Sequence, residues 1–167
     1  MTPPTVLGTA VLATQAFAGA SLAALLETIR VGAEEPVGTA FDQGLAMQLS
    51  FRRETGLALQ AAALARSTMF RLRAHQAAKP RVLAICAPGD LMTNTPLEFL
   101  AEGAGIQLDL LFVDVERPLP DHVPDHDVAF CAVSETAPAV LDRVIPNPDD
   151  QNRCAQSRIP IDMMRQG

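Results

Sequence analysis

Residues 81–98 read RVLAICAPGDLMTNTPLE. An apolar run from Val82 to Cys86 breaks at Pro88-Gly89, and the chain resumes at Thr95-Pro96-Leu97-Glu98. A short apolar run closed by Pro and Gly reads as a strand. Thr followed by Pro and then Glu reads as a capped helix start, with Thr95 accepting from the first turn and Glu98 reaching back. Strand, turn and helix in succession are the repeating unit of α/β sheets, so this stretch decides the class of the second half of the chain.

Downstream, Leu108 to Val113 and Asp127 to Val133 repeat the apolar signature, and a further helix is expected from about Pro138 to Val144. The pattern predicts a small parallel sheet of three to four strands with crossover helices. Upstream the period changes. Ser21 is placed to cap a helix through Leu22, Leu25, Leu26 and Ile29 that ends near Gly32. Phe41, Leu45 and Leu49 recur on one face of the next helix. After Arg52-Arg53-Glu54 an Ala-rich helix runs to about Phe70 or Leu72, with Ala58, Ala62 and Ala65 as a smooth ridge for close helix packing. Pro80 disfavours helix at Lys79. The expected organisation is a helical region over 1–73, a linker over 74–80, an α/β domain over 81–148 and a polar tail over 149–167.

The composition narrows the function. Of the residues, 49% are hydrophobic and only 4% aromatic, with no Trp or Tyr, so Ala, Leu and Val must fill the core. The net charge of -6 opposes binding to nucleic acid or an anionic membrane. It is unevenly spread, with seven Lys/Arg against five Asp/Glu up to residue 80, and six against fourteen beyond it. Opposed halves suggest two regions with different tasks. Cys86, Cys131 and Cys154 contain no CxxC pair, so neither a zinc ribbon nor a disulfide framework is indicated, and Cys86 and Cys131 read as buried thiols. The apolar N-terminus lacks a basic residue before Arg30 and is interrupted by polar side chains, which fits a cytoplasmic protein better than a signal peptide or a membrane span.

Two resemblances follow from particular blocks. Leu45 to Phe70 resembles one degenerate tetratricopeptide (TPR) helix pair, with Leu45, Ala46, Leu49, Ala58, Ala62 and Ala65 near that repeat's small and apolar positions. Arg53 stands where the repeat has its turn glycine. RVLAICAPGDLMTNTPLEFLAEG, LDLLFV and LPDHVPDHDVAFCAVSE resemble the pre-ATP-grasp region of bacterial proteins that place TPR-like helices before an ATP-grasp ligase domain. The resemblance spans about residues 40 to 148. It implies TPR-like hairpins followed by a pre-ATP-grasp-like α/β domain. No position receives the nucleotide-binding lysines or magnesium carboxylates of the ATP-grasp domain. The implied role is a non-catalytic protein-interaction or ligand-binding module, with a separate ATP-grasp subunit or a second copy as partner. The alternative is the substrate-binding part of an ATP-dependent carboxylate–amine ligase.

The candidate site follows from position. Ligands of open α/β sheets gather at the carboxyl ends of strands, which points to Asp90, Thr93 and Asn94 after the first strand and Ser134 after the third. The loop has one Gly and neither GxGxxG nor GxxxxGK[ST], so no cofactor is assigned. Asp121-His122-Val123-Pro124-Asp125-His126-Asp127 carries metal-ligating types, but Pro124 stops its two histidines sharing a helical face, and it reads as a polar turn. Arg66, Arg71, Arg73, His75, Lys79 and Arg81 read as the cationic last turn of a helix docking on the acidic half. No catalytic residues and no metal are assigned. The free edge of an incomplete sheet supplies a motive for self-association.

Overall fold

The apolar run at Val82 forms the strand expected of it, β3 (Arg81–Cys86), near the middle of a five-stranded sheet. The computed structural model describes residues 2–73, 79–116, 120 and 122–134. β4 (Gln107–Phe112) and β5 (Val128–Cys131) flank β3 and run parallel to it. Two further strands come from the first half of the chain: β1 (Thr5–Val6) and β2 (Met69–Leu72). β2 lies antiparallel to β4 and parallel to β1, giving the order β1-β2-β4-β3-β5. Among the described residues the fold is therefore α/β but the sheet is mixed, with five strands instead of the expected three or four parallel ones.

Four helices connect β1 to β2: α1 (Thr9–Phe17), α2 (Leu22–Gly32), α3 (Pro36–Leu49) and α4 (Arg53–Leu64). Ser21 caps α2 as its sequence position predicts, accepting from Ala24 N at 3.3 Å. The expected helix to Phe70 or Leu72 stops instead at Leu64. Ser67 Oγ donates to Met69 O at 2.7 Å and closes a tight turn. Beyond it the side chains alternate: Phe70 and Leu72 face the helices, while Met69 and Arg71 face the other side. Arg71, Arg73 and Arg81 consequently lie on or beside strands, not in a helical last turn; His75 is outside the described residues.

Alternation sorts the core into two layers. The helix-side layer includes Val6, Leu12, Leu25, Ile29, Phe70 and Leu108. The opposite layer is built from Leu83, Ile85, Ala87, Leu111, Val113 and Ala129. Burial on both faces explains why β3 reads as a continuous apolar run. Phe41 of α3, Phe70 of β2 and Phe112 of β4 form one aromatic cluster, with ring centroids 4.5 to 6.1 Å apart. This cluster joins helix and sheet.

The expected alanine ridge faces outward: Ala58, Ala62 and Ala65 are exposed. The packed face of α4 is Gly56, Gln60, Ala63 and Leu64, a different phase of the same helix. Two glycines set the spacing of α3 and α4. A Cβ on Gly44 would stand 2.9 Å from Gly56 O, and one on Gly56 would stand 2.6 Å from Gly44 O. The helices thus meet backbone to backbone, which even an alanine methyl would prevent. Gln48, buried beside this crossing, has neither amide atom hydrogen-bonded among the described residues.

α3 ends in a Schellman turn. Phe51 N donates to Gln48 O at 3.0 Å and Arg52 N to Met47 O at 2.9 Å. The residue in left-handed conformation is Phe51, with φ 61°, in the place glycine normally takes. The left-handed turn residue between α3 and α4 is therefore Phe51, two positions before Arg53.

Candidate functional site

The loop after β3 and the segment after β5 meet at the carboxyl ends of their strands, and all four candidate residues come together there. Asn94 and Val133 form an antiparallel bridge. Thr95 N donates to Ala132 O at 2.7 Å, and Ser134 N to Thr93 O at 2.9 Å. Strand-end proximity is what the sequence rule uses, and it holds for this group.

What the side chains do there is mainly internal. Asn94 Oδ1 accepts from Ala87 N at 2.7 Å while its Nδ2 donates to Ala87 O at 2.8 Å, so one amide ties both ends of the loop. Asp90 Oδ1 accepts from Met92 N at 3.1 Å and from the Thr93 hydroxyl at 3.3 Å, an Asx-type turn. Its Oδ2 accepts from Arg53 Nε at 3.1 Å and Nη2 at 2.9 Å. Hydrogen bonding to Arg53, and then to Met92 N, holds the Asp90 carboxyl below its ordinary value of 3.8. Ser134 Oγ donates to Met92 O at 3.1 Å. Gly89 N donates to Gln60 Oε1 at 3.0 Å. Arg53 and Gln60 lie 37 and 29 residues from their partners, so no local pattern announces them.

The expected capping box does not form. Helix α5 (Glu98–Ala101) is a single turn with Leu97 at its N-cap and no side-chain cap. Glu98 instead turns toward α1, where its Oε1 accepts from Thr9 N at 3.4 Å. Asp42 of α3 adds bonds from Leu7 N at 2.8 Å and Gly8 N at 3.1 Å. Two buried carboxylates from other elements thus cap α1, whose N-cap residue Gly8 has no side chain for the task. Burial pushes the Asp42 carboxyl up from 3.8 to about 6, against the lowering effect of those two backbone donors.

A one-turn helix supplies little dipole to an anion, and the carboxylate of Asp90 stands in the loop before it. The cavity beneath the loop, lined by Phe41, Leu45, Leu97, Leu110 and Phe112, holds about 50 Å3. Pockets for drug-sized ligands run to about 300 Å3 or more, so no nucleotide fits beneath this loop.

The other sequence candidates resolve as follows. Cys86 is a buried thiol, its pKa raised chiefly by desolvation, whereas Cys131 is only half-buried. In the His122–Asp127 segment, Asp127 Oδ2 accepts from Arg81 N at 2.8 Å, and His126 Nδ1 lies 2.9 Å from Pro124 O. Asp121 is outside the described residues. Among the described residues no cluster of three or more His, Cys, Asp or Glu is arranged to hold a metal. Among them, too, no helix is long and apolar enough to cross a membrane.

One surface feature escaped the sequence reading. Phe51 is 98% exposed at the α3–α4 turn, and Met92 is 78% exposed in the loop that Arg53 and Asp90 bind to that turn. The only signal in the sequence was a bulky residue ahead of Arg52-Arg53, where a helix hairpin calls for glycine. Searches against protein-family models, curated proteins and solved structures return no significant match to this chain.

Proposed function

We propose that the chain is a non-catalytic interaction module that associates with a second copy of itself through the α3–α4 turn. The reading keeps the role implied by the resemblance to TPR-like and pre-ATP-grasp front ends. One observation carries it: Phe51 occupies a left-handed position and is 98% exposed. A left-handed backbone costs a non-glycine residue roughly 1–2 kcal/mol, and an exposed ring recovers almost none of that by burial. A costly, exposed aromatic is what an interface anchor requires.

The surroundings favour a second copy as the partner. Beside Phe51, Arg52 and Glu54 give one exposed charge of each sign outside the Arg53–Asp90 ion pair. A two-fold pairing can set the cation of one patch against the anion of the other. Edge-to-edge sheet pairing is less favoured because both edge strands are short, β1 with two residues and β5 with four.

Sedimentation velocity across a hundredfold concentration range tests this. The expected result is a reversible monomer–dimer equilibrium that Phe51→Gly abolishes. A chain that stays monomeric at the highest concentration contradicts self-association. Micromolar binding of ATP and magnesium, lost in Asp90→Ala, would instead favour the ligase-subunit reading.

A further inference from the structure

A broad groove lies at the opposite end of the sheet, where β3 and β4 begin, on the face away from the helices. It encloses about 790 Å3, within the size range of small-molecule sites. Its floor is a row of side chains at alternate positions on three neighbouring strands: Arg71 of β2, Gln107 of β4 and Arg81 of β3. Its wall is the segment from His122 to Pro124, anchored by Val123, which packs on the second core layer.

The two arginines differ in what they have left to give. Arg71 is clamped by Asp109, with Nε to Oδ1 at 2.7 Å and Nη2 to Oδ2 at 2.9 Å. Gln107 Nε2 adds a third bond to that carboxylate at 3.3 Å. Arg81 has no such clamp. It forms two longer ion pairs, Nη1 to Asp125 and Nε to Asp127, both at 3.7 Å and beyond hydrogen-bond distance, and Asp125 is 92% exposed. Asp127 is already held by the Arg81 backbone N–H at 2.8 Å. Arg81 Nε is buried with no hydrogen-bond partner among the described residues. A buried guanidinium donor without an acceptor is costly and attracts an oxyanion, which its planar fork binds in a fixed orientation.

We propose that this groove binds a small organic anion, its carboxylate or phosphate on Arg81 and its apolar body against Met69, Val123 and Pro124. Gln107, whose Nε2 serves Asp109, has its carbonyl oxygen without a hydrogen-bond donor among the described residues, and it can accept from a ligand donor. The site is separate from the Asp90 loop and does not depend on self-association.

Nitrogen-15 NMR titration of the full chain with benzoate, phenyl phosphate and neutral benzyl alcohol tests the proposal. The expected result is saturable shifts at the Arg81, Gln107 and Val123 amides with at least one of the anions. Whether benzoate or phenyl phosphate binds more tightly identifies the head group. Benzyl alcohol and the Arg81→Gln variant should each weaken binding about tenfold or more, the value of one charge-assisted hydrogen bond. Arg81→Lys keeps the charge but loses the fork, so it should weaken binding by a smaller factor, and it serves if the Gln variant does not fold. The proposal fails if neither anion shifts these amides, if affinity is unchanged in both variants, or if equal shifts appear around the exposed Arg52 and Arg66.

Discussion

Asp42 is 3% exposed on α3 and holds the N-terminus of α1 through Leu7 and Gly8. Its carboxyl titrates near 6 in the fold against 3.8 ordinarily, because burial opposes the charge. A raised value means the folded state binds this proton more tightly than the unfolded chain does. Its contribution to stability is therefore complete below about pH 4 and is lost as pH rises toward 6, by about 3 kcal/mol at most. Urea unfolding at several pH values should show this decline in the wild type, and the wild-type minus Asp42→Asn difference should isolate it. Equal pH profiles for the two proteins would contradict the assignment. Asp42 was not legible as a cap from sequence, since its partners lie 34 and 35 positions away. Asp90, Thr93, Asn94 and Ser134 were legible as a group because strand ends converge. Their use as loop ties was not, because it depends on Arg53 and on the Ala87 backbone.

At the scale of elements, the α3–α4 hairpin was legible as two helices but not in its phase. Ala58, Ala62 and Ala65 look like a packing ridge by composition, yet glycine allows closer approach than alanine, and Gly44 and Gly56 take the contact. Substituting Gly56 by Ala separates two opposed effects. Helix propensity gains about 1 kcal/mol, while a methyl 2.6 Å from Gly44 O must push backbone apart at a cost of about 1–3 kcal/mol or more. We expect Gly56→Ala to unfold at lower urea concentration than the wild type, and Ala62→Ser on the exposed face to shift the midpoint only slightly. A stabilised Gly56→Ala would mean that the helices are not in backbone contact. Strand β2 was missed for a related reason: Phe70 and Leu72 extend an apolar run that starts in a helix, and only their pairing with β4 makes them a strand.

At the scale of the whole molecule, the sequence announced an α/β sheet through β3, β4 and β5, each a local apolar run. The mixed sheet was not visible, because β1 and β2 are two and four residues long and draw their identity from pairing. The charge asymmetry is partly used in joining the halves, with Arg71 bound to Asp109 and Arg53 to Asp90. Self-association through Phe51 makes a distinct demand: fold stability and assembly must oppose each other at one residue. Glycine relieves the left-handed strain and removes the exposed ring, so the two properties should move in opposite directions. The most direct measurement takes Phe51→Gly and wild type side by side, with urea unfolding at a concentration where wild type is monomeric and sedimentation where it is dimeric. The account predicts a variant more stable by about 1 kcal/mol that no longer dimerises. A variant that is less stable, or that dimerises as the wild type does, would contradict it.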